Sequence, residues 1–348
     1  MQMTFRWYGP NDRITLEDIR QVPYIDGVVT AVYDLPVGEV WSPAAIAAVQ
    51  APALAMGLTC EVIESVPVHE EIKLGSDKRD ALIDNYCQTI RNLGRAGFKV
   101  ICYNFMPVFD WLRSDLAHKR PDGSTCLAFD QQTVLNLDPA KTSLSLPGWD
   151  ESYTHDELLG LLERYREVDE EKLWENLLYF LRRIIPVCEE AGIQMAIHPD
   201  DPPWGIFGLP RIITGRDALD RLCRAVDSPC NGITLCLGSL GSHPDNDLVA
   251  MAAEFAGRGR IPFVHARNVK ITGERCFEET GHLSREGSLD MEEILRALYE
   301  NGFDGYIRPD HGRNIWGEDG RPGYGLYDRA LGAAYLSGLW AGIRAQTR

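Results

Sequence analysis

"DEEKLWENLLYFLRRIIPVCEEAGIQMAIHPD", residues 169–200, holds in one stretch the alternation on which the fold rests. Asp169, Glu170 and Glu171 open it, and three carboxylates in a row suit the positive N-terminus of a helix. Leu173, Leu177, Phe180, Leu181 and Ile184 then fall on one helical face, and Ala191-Gly192 supplies the stop. Pro186 is expected to kink this helix. The chain passes directly into the short apolar run "IQMAI", which reads as a buried strand and ends at His198.

The same step recurs on both sides. Before it come the strand-like "MTFRWYG", "GVVTAVYD", "TCEVIES" and "KVICYNFMP", separated by "TLEDIRQ", a helix starting near Ser42, and "DKRDALIDNYCQTIRNLGRAG". After it come "GITLCLGSL", "PFVHARNVK" and "DGYIRPDHG", separated by the helical "GRDALDRLCRAV", "DLVAMAAEFAG" and "LDMEEILRALYENG", with a last helix near Tyr327 to Arg344. Eight strands alternating with eight helices imply a parallel sheet closed as an α/β (β/α)₈ TIM barrel. An open doubly wound sheet is the rival, but no strand is followed by G-x-G-x-x-G or G-x-x-x-x-G-K-[ST]. The alternation is interrupted once, after the fourth strand, by an insertion from Val108 to Val168. It contains "RPDGSTCLAFD", a hairpin candidate, and has too few apolar residues for a core of its own. The chain therefore reads as one barrel domain, 1–348, with the insertion as a lid or contact arm.

Composition narrows the function. A net charge of -16 opposes a nucleic-acid or anionic-membrane partner, because phosphate binders present a basic face. Nine cysteines, an odd number without Cys-x-x-Cys pairing, read as reduced thiols. The N-terminus lacks the pattern of an export signal and no apolar run reaches about 18 residues. A cytoplasmic protein is expected.

Barrel enzymes place their chemistry where the strands end. The fifth strand ends "IHPDD", the sixth "LCLGS", the seventh "VHARN" and the eighth "IRPDH". His198, Cys236, His265 and Asp310 thus stand near the ends of four consecutive strands, and inward-pointing side chains there converge on the barrel mouth. Two imidazoles, a thiolate and a carboxylate can hold one divalent metal. Taken singly, each has a plainer reading: a rim histidine, a core cysteine, a strand-ending aspartate. Asp200 and Arg267 lie two residues past His198 and His265, so period-two alternation can put them on the same face, though solvation at the rim accounts for them equally.

The blocks "RWYGPNDRITLEDIRQ", "CYNFMPVFDW", "AIHPDDPPWGIFGLPRI", "HARNVK", "GYIRPDHGR" and "RPGYGLYDRALGAAYLSGLW", spread over nearly the whole chain, resemble the mannonate dehydratase family. The resemblance implies a metal-dependent lyase of hexuronate breakdown on a xylose-isomerase-like TIM barrel, with Mn²⁺ or Fe²⁺ as cofactor. The family's His, Cys, His and Asp ligands correspond to His198, Cys236, His265 and Asp310. Within the insertion, only its beginning, "FDWLRSDL", shares the likeness. His311 and Tyr324 are suggested by the resemblance as proton-transfer residues; a rim histidine and an aromatic lid residue are the alternatives. Tyr8, Asn104, Asp200 and Arg267 are the candidate substrate contacts.

Loss of water from D-mannonate, which gives 2-dehydro-3-deoxy-D-gluconate, poses two problems. The C2 proton is weakly acidic beside a carboxylate, and hydroxide leaves only if it is protonated. A metal and a positioned acid and base answer both. The other readings are a metal-dependent sugar isomerase or epimerase on the same barrel, a sugar-acid binding protein without catalysis, and a metal-dependent DNA-repair nuclease, the last opposed by charge. A homo-oligomer joined through the insertion is a further expectation.

Overall fold

The computed structural model describes residues 1–137 and 154–347. Four strands come first: β1 (Gln2–Arg6), β2 (Gly27–Thr30), β3 (Thr59–Glu64) and β4 (Val100–Tyr103). The insertion contributes β5 (Asp115–Lys119) and β6 (Thr125–Asp130). Then follow β7 (Gln194–Ile197), β8 (Asn231–Cys236), β9 (Phe263–Ala266), β10 (Val269–Gly273), β11 (Cys276–Glu279) and β12 (Tyr306–Pro309). Eight of these form a closed barrel in the order β1-β12-β9-β8-β7-β4-β3-β2, every neighbouring pair parallel. The alternation of short apolar strands with helices therefore produces the (β/α)₈ TIM barrel that it implies.

Local chemistry sets the helices. Asp169 accepts from the Lys172 backbone N–H to start the helix Glu170–Ala191, and Gly192, at φ 67°, ends it in the left-handed region that glycine adopts without strain. The helix continues past Pro186 and buries Leu173, Leu177, Phe180, Leu181 and Ile184. Each such side chain removed from water is worth roughly 1.5–3 kcal/mol. Helix Leu16–Gln21 is started by a capping box between Thr15 and Asp18. The barrel interior is filled by Val29, Val62, Val100, Cys102, Ala196 and Phe263, and the larger core lies between strands and helices.

Two departures from the expected rhythm matter for the site. "PFVHARNVK" is not one strand: β9 stops at Ala266, and the buried Asn268 turns the chain. Its amide donates to the Leu283 carbonyl at 2.9 Å and its Oδ1 accepts from the Leu289 N–H at 3.1 Å. The released segment becomes β10, which pairs antiparallel with β11, and β11 pairs with β6 of the insertion. A four-stranded antiparallel sheet, β10-β11-β6-β5, thereby stands beside the barrel. The insertion also carries a helix, His155–Tyr165, capped by Thr154 and Glu157. Of the stretch 108–168, residues 138–153 lie outside those described.

Candidate active site

The ends of β7, β8, β9 and β12 meet at the barrel mouth. Ligand atoms of His198, Cys236 and His265 lie within 4.8 Å of one another. Asp310 Oδ2 is 3.8 Å from Cys236 Sγ and 4.0 Å from His265 Nδ1. His198 Nδ1 sits 2.7 Å from the Pro199 carbonyl, to which a protonated Nδ1 donates, so Nε2 is left to bind. His265 is 1% exposed, yet neither ring nitrogen has a hydrogen-bond partner among the described residues; Glu64 Oε2 is 3.3 Å from Nε2 without hydrogen-bond geometry. A buried imidazole without partners is costly unless something coordinates it. Nitrogen, thiolate and carboxylate donors of this kind suit a divalent transition-metal ion.

Charge couples the same groups to one another. Burial alone would raise the Cys236 thiol, but the Arg267 guanidinium and His198 overcome it and hold the group well below the usual thiol range. Burial opposes charge on His198, and the Cys236 thiolate with Asp310 and Glu64 nonetheless pushes it up to about 9. Asp310 stays well below the carboxylate range because Arg308, His311 and Arg267 outweigh its burial. Arg308 Nη1 is 2.7 Å from Asp310 Oδ1, while its Nε and Nη2 donate to Glu64 at 3.1 and 2.9 Å.

Beneath these groups lies a buried charge network. Arg113, from the start of the insertion, donates to Asp201 at 2.8 and 3.0 Å and to Glu279 at 3.0 and 2.7 Å. Arg267 donates to Glu279 at 2.9 Å, to Asp201 at 2.8 Å and to Ser239 at 2.9 Å. Glu279 Oε1 and Oε2 are each 3.0 Å from His311 Nδ1. On the opposite edge of that ring, Nε2 is 3.0 Å from the Tyr324 hydroxyl. Trp111 packs edge-on against the imidazole with centroids 5.3 Å apart. Burial raises Tyr324 well above the ordinary phenol value, with Tyr8 adding to the effect.

The residues singled out in the sequence are therefore mostly, but not all, brought together. His198, Asp310, His311, Tyr324, Tyr8, Asn104 and Arg267 line one cavity of about 1880 Å³, and Cys236 and His265 stand directly behind it. Asn104 accepts from the Met106 N–H at 3.2 Å, and Tyr8 stands edge-on to Tyr324 at 5.1 Å. Asp200 is not brought to the cavity: its carboxylate accepts from the Ile213 N–H at 2.8 Å and faces Arg211 at 3.9 Å. The cause is that β7 ends at Ile197, so alternation does not extend through Pro199, and Asp201 lines the cavity instead. Arg267 reaches the cavity with its terminal nitrogens already bound to protein groups. Sequence reasoning did not find Glu279, Arg113, Asp201, Glu64 or Arg308. Glu64 ends β3 and carried the same strand-end signal as the ligand candidates; Glu279 and Arg113 lie off the barrel strands and carried none.

The profile of the D-mannonate dehydratase (UxuA) family matches residues 1–348. The chain belongs to the D-mannonate dehydratase family. A mannonate dehydratase of Streptococcus uberis is 57% identical over 343 residues, covering 99% of both chains. The crystal structure of mannonate dehydratase from Streptococcus suis superposes with a TM-score of 0.93 at 52% identity, covering 99% of this chain and 96% of that one. A D-psicose 3-epimerase from Clostridium cellulolyticum, at 14% identity and TM-score 0.57 over 99% of both chains, shares the fold alone. As a member of the mannonate dehydratase family, the chain is a hydro-lyase that removes water from D-mannonate. Among the described residues no helix is long and apolar enough to cross a membrane.

Proposed function

We propose that His311 and Tyr324 carry the protons in the dehydration of D-mannonate to 2-dehydro-3-deoxy-D-gluconate at this barrel mouth. The observation that carries the reading is the 3.0 Å contact between His311 Nε2 and the Tyr324 hydroxyl on the wall of the cavity. Nδ1 of the ring faces both the Glu279 carboxylate at 3.0 Å and Arg267 Nη1 at 2.9 Å; in the tautomer that donates from Nδ1 to the carboxylate, Nε2 presents a lone pair. His311 takes the C2 proton. Tyr324, kept protonated at neutral pH by its burial, gives its proton to the departing C3 hydroxyl, which leaves as water. The proton on His311 then returns to the Tyr324 oxygen across the same contact, and the enol product tautomerises to the 2-keto acid. His198, Cys236, His265 and Asp310 are the residues assigned to hold Mn²⁺ or Fe²⁺; when bound there, the ion supplies positive charge against the negative charge that develops on the substrate carboxylate.

Tyr8 and Asn104 are assigned to the substrate. The same reading places the reaction in hexuronate breakdown in the cytoplasm, acts on a small sugar acid without nucleic acid or membrane, and leaves the insertion as a candidate lid or contact arm of a homo-oligomer. Incubation with D-mannonate and Mn²⁺, followed by colorimetric assay for a 2-keto-3-deoxy acid, tests it. Formation of that product is expected, and its absence with either Mn²⁺ or Fe²⁺ overturns the reading.

A further inference from the structure

Arg6, the last residue of β1, lines the cavity and is 7% exposed. Its side chain donates no hydrogen bond to any described residue, and Nε and Nη1 are covered without a partner. The nearest carboxylate oxygen, Glu64 Oε2, is 3.8 Å from Nη1, and Glu64 already receives two hydrogen bonds from Arg308. The faces of Tyr8 and Tyr33, at 4.8 and 5.9 Å from the guanidinium carbon, shelter the charge without hydrogen-bonding it. A buried guanidinium left in this state is costly unless an anion completes it. The other buried guanidiniums of the cavity each leave one nitrogen without a hydrogen bond but are tied through the rest: Arg308 donates twice to Glu64, with Nη1 2.7 Å from Asp310 Oδ1, and Arg267 donates to Glu279, Asp201 and Ser239, whereas Arg6 donates nowhere.

We propose that Arg6 binds the carboxylate of the sugar acid, a role that rests on this cavity being the site of D-mannonate dehydration. A planar guanidinium matches a carboxylate in shape and charge better than it matches hydroxyls. The position suits the chemistry too. One carboxylate, that of Glu64, bridges from Arg6 at 3.8 Å to His265 at 3.3 Å, so a substrate carboxylate beside it spans the same interval between Arg6 and the ligand cluster. On the other side, Tyr8 lies under Arg6 and edge-on to Tyr324 at 5.1 Å. A carboxylate held by Arg6 therefore puts C2, one bond away, on the wall that carries the His311–Tyr324 pair. A neutral aldose or ketose leaves Arg6 unpaired, which makes it a determinant of acid over sugar.

The test varies the residue and the ligand charge together in the metal-loaded enzyme. Arg6→Met and Arg6→Lys are compared with the unsubstituted protein for the KM of D-mannonate and for competitive inhibition by D-mannonamide, the neutral amide of the same chain. Loss of charge-assisted hydrogen bonds should raise the D-mannonate KM by about 10- to 100-fold in Arg6→Met, with D-mannonamide inhibition within about twofold and metal content unchanged. Arg6→Lys, which keeps charge but not the fork, should fall between, and carries the same comparison if Arg6→Met does not fold. A parallel weakening of both ligands, or an unchanged KM, overturns the assignment. If the unsubstituted enzyme turns over no D-mannonate, the reading of the cavity fails first and this assignment with it.

Discussion

Replacing Glu279 by glutamine removes one negative charge from a buried network whose other members stay in place. Its carboxylate faces Arg113 at 2.7 Å, Arg267 at 2.9 Å and His311 at 3.0 Å, all fully buried or nearly so. Burial opposes its ionisation, but His311, Arg267 and Arg113 bring the group down from 4.5 to about 2. A depression of that size corresponds to roughly 3 kcal/mol of stability at neutral pH. Because the folded value is the lower one, this contribution is complete above the ordinary glutamate range and is lost as pH falls toward 2. About 2 kcal/mol of it should disappear between pH 6 and pH 3. Urea unfolding of metal-free Glu279→Gln and unsubstituted protein, followed by tryptophan fluorescence at pH 6, 4.5 and 3, measures the gap directly. The variant should be weaker by roughly 3 kcal/mol at pH 6, about 4 °C in Tm for 348 residues, and by only about 1 kcal/mol at pH 3. With the Nδ1 side of His311 no longer held by a carboxylate, turnover at pH 7 should fall on the order of 10²-fold or more. A stability gap that stays constant with pH refutes the assigned electrostatic role. Full turnover in the variant refutes the orienting role.

Three further outcomes follow from the ligand and proton-transfer assignments. Chelation with EDTA should abolish turnover, and Mn²⁺ or Fe²⁺ should restore it; full activity in metal-free enzyme contradicts the charge-stabilising role. Cys236→Ser should lower metal content measured by elemental analysis more than it lowers Tm, because a neutral hydroxyl replaces a thiolate of similar size; unchanged metal content returns Cys236 to the core. His311→Asn and Tyr324→Phe should each keep bound metal while losing on the order of 10² to 10⁴ in kcat. In D₂O, Tyr324→Phe should still exchange the C2 hydrogen by NMR where proton removal is reversible, and His311→Asn should not; near-normal turnover in either variant removes that residue from the mechanism.

How much of this site the sequence reveals depends on which elements carry it. His198, Cys236, His265 and Asp310 stand at or just past the ends of neighbouring barrel strands, so recognising the alternation was enough to bring them together. Arg6 and Glu64 end β1 and β3, so the same strand-end position carries them to the barrel mouth. Asp200 shows where alternation stops working. Period-two geometry holds while the backbone is extended and paired, and β7 pairs no further than Ile197. Past Pro199 the chain follows its loop partners, and Ile213 rather than the cavity claims the Asp200 carboxylate.

Glu279 and Arg113 mark the deeper limit. Each belongs to a segment outside the barrel rhythm, and the two meet across 166 residues because β6 of the insertion pairs with β11. Antiparallel pairing between distant segments leaves no local spacing to read, since the register is set by the partner strand. The consequence is functional as well as topological. The barrel strands bring the four residues assigned to the metal together, whereas Glu279, the carboxylate beside His311, ends β11 in the segment that leaves the barrel where Asn268 turns the chain and that pairs with the insertion. A substitution that lets residues 263–270 continue as one strand would therefore leave the four residues assigned to the metal on their strands and withdraw Glu279 from His311. In that protein metal binding should outlast turnover, and the two halves of the site would be separated by the fold itself.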